Sequence, residues 1–221
     1  MTSHPRPAQS RGVKLTVAGL LVFIVFIVGS FVHRINQPRV MTQGEMKANG
    51  AYMFETPRSF ETFSLIDHNG AAFTPGYFAG KWTLVFFGFT FCPDVCPTTM
   101  AFLDTLMKQL EGTEVAEDTQ VVLVSVDPAR DTPEKLRQYV SYFNEDFLGV
   151  TGEFMDIHRF ALALNTPFRK VAGQGENYQV DHSANVVLIN PRGDYHGFFK
   201  APLELAKMKV TYRSARYRWG R

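Results

Sequence analysis

Cysteine is scarce in this chain: its 221 residues include two, Cys92 and Cys96. That scarcity removes disulfide-rich scaffolds from consideration and denies zinc the third and fourth thiolates of many closed structural centres. A bridge between residues 92 and 96 would close a very short loop, so its entropic stabilisation would be small. A domain of about 160 residues with this much apolar content needs no such staple. Acids are missing from 1–34, which carry Arg6, Arg11, Lys14 and Arg34. They are nearly missing from 200–221, where seven cations meet Glu204 alone. These ends contribute +4 and +6 to a total of +2, which leaves −8 on residues 35–199. The body is therefore acidic despite a pI near 8.5, and it offers no basic groove for nucleic acid. No internal repeat or low-complexity segment occurs.

One long apolar run is present. Leu15–Val32 reads LTVAGLLVFIVFIVGSFV, 18 residues without a charge, bounded by Lys14 and by His33-Arg34. At 1.5 Å per residue it nearly spans a hydrocarbon core about 30 Å thick. The run is longer than the apolar region of most cleaved signal peptides, shows no polar face, and is followed by no Ala-x-Ala site. The reading is an uncleaved transmembrane anchor over 15–33 behind a short cytoplasmic head at 1–14. Arg6, Arg11 and Lys14 precede the span and Arg34, Arg39 and Lys47 follow it, so the positive-inside count is balanced. A short head before a large domain favours translocation of the domain, which places it in the periplasm on a bacterial inner membrane. The alternative, suggested by the acid-free head, is a mitochondrial inner membrane with the domain facing the intermembrane space.

Residues 34–57 are polar and irregular and are expected to form a tether to a domain over 58–210, with 211–221 a disordered basic tail. Within the domain, Phe60–Leu65, a turn at Asp67–Gly70 and Ala72-Phe73 predict a hairpin. Trp82–Phe89 (WTLVFFGF), Gln120–Val126 and Asn185–Ile189 are continuous apolar runs, as expected for strands covered on both faces. Met100, Leu103, Leu106, Met107 and Leu110 recur at helical spacing. Asp131-Thr-Pro-Glu134 is a helix start, with a cap, an early proline and an acid at the positive dipole end; that helix runs to Phe143. Further helices are predicted at Met155–Leu164 and Pro202–Val210, and a strand at Tyr195–Phe199 after the turn at Asn190–Gly193. Strands alternating with helices define an α/β domain whose mixed sheet is flanked by helices.

The motif Thr90-Phe-Cys92-Pro-Asp-Val-Cys96-Pro97 lies where a buried strand ends and a helix begins, the edge of an α/β sheet where reactive groups collect. Unpaired amides and the helix dipole there favour thiolate over thiol, the form that attacks disulfides and binds soft metals. Asp94, between the thiols, is read as a cap for the helix amides. Two thiolates leave a metal site incomplete, and histidine is the usual third donor. His68 falls in a hairpin turn, His158 on a helix, and His196 on a strand after a turn, all consistent with boundary or surface roles. His182 stands in Asp181-His182-Ser183, directly before a buried strand. Cys92, Cys96 and His182 would form a soft three-donor set suited to copper, with Asp181 as the acceptor that orients the imidazole.

Four segments carry a resemblance to the Sco/SenC family of copper proteins: DHNG (67–70), GKWTLVFFGFTFCPDVCPTTM (80–100), VSVDPARDTP (124–133) and DHSANVVLINPRG (181–193). The likeness covers about residues 58–205. It implies a thioredoxin-like fold with an added N-terminal hairpin and a single membrane span. It also implies copper, as Cu(I) or Cu(II), on Cys92, Cys96 and His182, for delivery to the Cu(A) site on subunit II of cytochrome c oxidase during assembly. Other periplasmic copper chaperones are possible upstream partners. Such a protein is a metallochaperone rather than an enzyme. The alternatives are a thiol–disulfide oxidoreductase in which Cys92 and Cys96 reduce the Cu(A) ligand cysteines, and a copper or redox sensor.

Overall fold

The structure, a computed structural model, describes residues 11–36, 40–172 and 175–219. It divides into two units, Met1–Val40 and Met41–Arg221. In the first, one helix, α1 (Arg11–Asn36), has none of its apolar stretch Gly12–Arg34 buried. Those 23 residues extend about 35 Å, long enough to cross a bilayer. The head proposed at 1–14 lies mostly outside the described residues.

The second unit runs α2 (Gln43–Ala48), β1 (Ala51–Arg58), β2 (Leu65–Asp67), β3 (Ala72–Phe73), β4 (Trp82–Gly88), α3 (Val95–Leu110), α4 (Glu114–Glu117), β5 (Thr119–Ser125), α5 (Pro133–Phe143), β6 (Leu148–Thr151), α6 (Phe154–Ala163), β7 (Phe168–Lys170), β8 (Val180–His182), β9 (Val186–Ile189), β10 (Tyr195–Phe199) and α7 (Leu205–Trp219). Eight strands form one sheet in the order β1-β10-β9-β4-β5-β6-β2-β3, and β7 pairs with β8 in a separate ribbon. β4–β5 and β5–β6 are parallel, joined through α3 and α5, and the remaining pairs are antiparallel.

The central strands are the apolar runs. Every residue of β4 and of β9 is buried, as helices on both faces demand. Side chains alternate across β4. Phe87 meets Phe160 of α6 on one side, while Trp82 meets Tyr212 of α7 on the other. Phe60, Phe63, Phe73 and Phe78 gather around Phe160, which explains much of the phenylalanine content and pins the β2–β3 hairpin to the domain. α5 starts as predicted, with Pro133 at its first position and the Thr132 hydroxyl accepting from the Lys135 amide.

Two expectations are overturned. The supposed tether over 34–57 contains α2 and β1. Met46, Ala51 and Met53 are buried, and Tyr52 stacks on Phe198 of β10 at 5.0 Å. β1 approaches so closely that a Cβ at Gly197 would lie 2.3 Å from the Tyr52 carbonyl oxygen. Nor is the basic tail disordered as far as Trp219, the last described residue. α7 runs on to Trp219 with Thr211, Tyr212, Ser214 and Ala215 buried. The Tyr212 hydroxyl lies 2.6 Å from Thr119 Oγ1, and Arg216 pairs with Asp118 at 2.6 Å. The first segment buries isolated residues such as Met46 and Met53 among polar neighbours, and α7 buries small or polar residues between charges, so neither shows a hydrophobic period.

Candidate metal centre

β4 ends at Gly88, the chain turns through Phe89–Phe91, and α3 begins at Val95, so the two thiols straddle a strand end and a helix start. Cys92 is half-buried in the loop; Cys96 is buried in the first turn of α3. The Cys96 amide donates to Cys92 Sγ at 3.4 Å. Cys92 is pushed down to about 5 by the hydrogen bond from the Cys96 thiol, then by the Asp94 and Cys96 amides and by His182, against the opposing effect of burial. Cys96 is pushed up, by giving that hydrogen bond and then by burial, with further repulsion from the Asp131 charge. The two shifts run in opposite directions, so thiolate character is favoured on Cys92 at the rim and thiol character on buried Cys96.

Asp94 occupies the N-cap position, but its side chain makes no capping hydrogen bond. Its contribution is the backbone amide aimed at Cys92. Gly88 had no predicted role, yet it makes room for the site. A Cβ there would sit 2.9 Å from the Phe86 ring, 3.0 Å from Cys96 Sγ and 3.2 Å from Leu123. Asp131, which sequence reasoning used only as part of a helix start, is 1% exposed. It accepts from the Thr90 amide at 3.1 Å, the Thr90 hydroxyl at 2.6 Å and the Ser125 hydroxyl at 2.6 Å. It thereby ties the loop before Cys92 to the end of β5, and burial raises its carboxyl.

His182 arrives from 86 residues away. It closes β8, opposite Phe168 of β7, and its ring lies edge-on to Phe86 and Phe89. Nε2 lies 3.5 Å from Cys96 Sγ. Nδ1 lies 3.1 Å from the Ser183 carbonyl oxygen, which can only accept, so the tautomer with its proton on Nδ1 turns the Nε2 lone pair to the sulfurs, whereas a proton on Nε2 is donated to them. Asp181, expected behind the ring, instead pairs with Arg169 at 3.2 Å on the exposed side. Neighbouring residues of a strand point to opposite faces, so Asp181 and His182 cannot share one; the orienting acceptor is a backbone carbonyl.

The other histidines stay apart. His68 is buried, and its Nδ1 accepts from the Gly149 amide at 3.1 Å. His196 is buried between the edges of Trp82 and Trp219. Neither is the surface residue expected, because His68 packs against β6 and α5 through Gly149 and Arg137, and Trp219 of α7 covers His196. His158 rests on Phe154 and Phe168.

Cys92, Cys96 and His182 offer three ligand atoms within 4.8 Å of one another. Three donors about 2.2 Å from a central ion in a trigonal arrangement would lie about 3.8 Å apart. The set thus fits a soft metal ion with little movement, and its chemistry suits thiol–disulfide exchange as well. Phe91, beside Cys92, supplies no ligand and is exposed.

A mixed sheet with a dithiol at the end of a buried strand, faced by an imidazole, defines a thioredoxin-like domain with a site of metal-binding or redox type. The chain belongs to the SCO1/SenC family, whose model matches residues 53–214. It is 40% identical over 148 residues to a Stutzerimonas stutzeri protein named for copper binding, covering 67% of this chain and 72% of that one. It is 32% identical over 192 residues to the mitochondrial protein SCO1 homolog 2 of Arabidopsis thaliana, covering 84% and 68%. Among solved structures it is similar to Arabidopsis thaliana ScoI with copper bound, at 30% identity and a TM-score of 0.65, over 72% of this chain and 98% of that one.

Proposed function

We propose that Cys92, Cys96 and His182 hold copper, and that the domain passes it by ligand exchange to the Cu(A) centre on subunit II of cytochrome c oxidase during assembly. The observation that carries this reading is the third donor: a dithiol reductase needs no imidazole facing its buried sulfur at 3.5 Å. Two thiolates suit Cu(I), and the added imidazole extends the set to Cu(II), whereas a closed zinc site wants a fourth ligand. Likeness to a copper-bound Arabidopsis protein and to a bacterial relative named for copper binding supports the metal. The oxidase destination follows from the Sco/SenC resemblance. Cys92, half-exposed, is the donor that an incoming thiolate reaches first; Cys96 and His182 hold the ion from beneath. Copper arrives from another periplasmic chaperone, and α1 keeps the domain on the outer face of the inner membrane, beside its membrane-bound client.

One observation favours a second reading, thiol–disulfide exchange. Cys92 is an accessible thiolate and Cys96 a buried thiol, the asymmetry of a nucleophile and its resolving partner. In that reaction Cys92 attacks one sulfur of a client disulfide and releases the other as thiolate. Cys96 then attacks Cys92 Sγ, giving an oxidised Cys92–Cys96 pair and a reduced client dithiol.

Anaerobic copper titration of the reduced protein and of His182→Ala tests the assignment. One copper per chain and at least tenfold weaker Cu(II) binding in the variant are expected; unchanged affinity would remove His182 from the ligand set. In cells, Cys92→Ser should abolish oxidase assembly. Recovery with excess copper favours delivery, and failure to recover favours reduction of the client.

A further inference from the structure

His182 reaches the thiols on a ribbon that the main sheet does not hold. Among the described residues, β7 and β8 pair only with each other, over three residue pairs. An isolated two-stranded ribbon is marginal in water, so other contacts must fix it. One anchor is Phe168, whose ring packs on Phe154 and His158 of α6. That contact secures β7. Phe168 is the register partner of His182, and the other end of the ribbon, where Lys170 pairs with Val180, is held differently.

Arg130, in the loop after β5, lies between the two halves of the site. Its guanidinium is 3.7 Å from the centroid of the Tyr178 ring and 4.8 Å from that of Phe91. Tyr178 precedes His182 by four residues, and Phe91 immediately precedes Cys92. Arg130 Nη2 also donates to the Tyr178 carbonyl at 2.9 Å, and its Nε pairs with Asp127. The second Asp127 oxygen accepts the Tyr178 hydroxyl at 2.5 Å. Outside these, Lys135 lies over Phe91 at 5.1 Å and Lys170 over Tyr178 at 3.4 Å. Cation and ring thus alternate along Lys135, Phe91, Arg130, Tyr178 and Lys170. The inner members are well shielded, with 16% of the Arg130 side chain and 4% of the Asp127 side chain exposed, where cation–π attraction and charge-assisted hydrogen bonds are strongest.

We propose that Arg130 is a positioning residue. Stacked between Phe91 and Tyr178 and braced by Asp127, it clamps the segment that leads into His182 against the loop that carries Cys92. It thereby sets how firmly the imidazole is presented to the sulfurs. This rests on the reading of His182 as a ligand. A lysine could keep the charge and the Asp127 pair but has no plane to stack between two rings and no second nitrogen for the Tyr178 carbonyl.

The test is a double-mutant cycle on the folded protein, with Arg130→Ala, Arg130→Lys and Tyr178→Leu each made alone and with His182→Ala. Each should weaken Cu(II) binding about tenfold when His182 is present and leave it unchanged when His182 is already alanine. Tyr178→Phe, which keeps the ring, should stay near wild type. Amide hydrogen exchange of the metal-free protein supplies an arm that needs no copper. Val180–His182 should exchange at least tenfold faster in Arg130→Ala, with β4, β5 and β9 unchanged. Equal weakening with and without His182, or exchange that rises across the whole sheet, would mean a general structural role and overturn the proposal. So would unchanged exchange at Val180–His182. If wild type shows no His182-dependent copper binding, the ligand reading fails while the exchange arm still decides the clamp.

Discussion

Cys92 and Cys96 are the same residue type, four positions apart, and they share a hydrogen bond. What separates them is where each sulfur sits: Cys92 receives backbone amides at the rim, while Cys96 gives its proton from a closed interior. Alkylation by iodoacetamide should therefore modify Cys92 alone in the native protein. Its rate should fall with a midpoint near pH 5 as the thiolate is protonated. In Cys96→Ala the largest stabilising hydrogen bond is lost, and the midpoint should move up toward the ordinary thiol range near 8.5. A midpoint that stays near 5 would mean that the amides alone depress Cys92. Two readings of the sequence also belong to this scale. His182 was singled out by its company, DHS before a buried strand, and it lies 3.5 Å from Cys96 Sγ. Asp181 was assigned to its ring because the two are adjacent, yet adjacency in a strand sends side chains apart.

Elements with a strong hydrophobic period were legible: β4, β5 and β9 as apolar runs, α3 and α6 by helical spacing, and α5 by its cap and proline. β1 and the second half of α7 were not. β1 is an edge strand with two of its eight residues buried, and the inward face of α7 offers Thr211, Tyr212, Ser214 and Ala215 among arginines. Their stability comes from what they cover. Tyr212 is fully buried against Thr119 and Trp82, so Tyr212→Ala should cost about 3–5 kcal/mol, the usual penalty for a large buried aromatic. Truncation after residue 210 should do at least as much, measurable as a fall in denaturant midpoint. A disordered tail could be cut with no change in stability.

Across the whole molecule, acid stability reflects buried histidines. His196 is pushed down to about 4, first by burial and then by the Arg192 charge, and its Nδ1 is buried without a hydrogen-bond partner. His68 is also lowered, by burial and by Arg137, against the raising effect of Asp67. A histidine lowered in the folded state binds its proton more readily when unfolded. Its stabilising effect is therefore full above about pH 6.5 and is lost as pH falls toward the folded value. For His196 that window runs from about 6.5 to about 4 and is worth roughly 3 kcal/mol. Unfolding measured over this range should show a smaller loss in His196→Phe, with the His68 share remaining. An unchanged slope would remove His196 as the source.

The amino-acid sequence by itself determined the apolar span, the buried central strands, the helix starts and the position of a dithiol at a strand end. These depend on patterns within about twenty residues, which the backbone geometry of helix and strand converts directly into faces and ends. Only the tertiary structure decided which sulfur is buried, that a carbonyl rather than Asp181 backs the imidazole, and that Arg130 bridges the two halves of the site. Those outcomes depend on the order of strands in the sheet, which brings residues 86 apart to 3.5 Å, and on packing that no local period records.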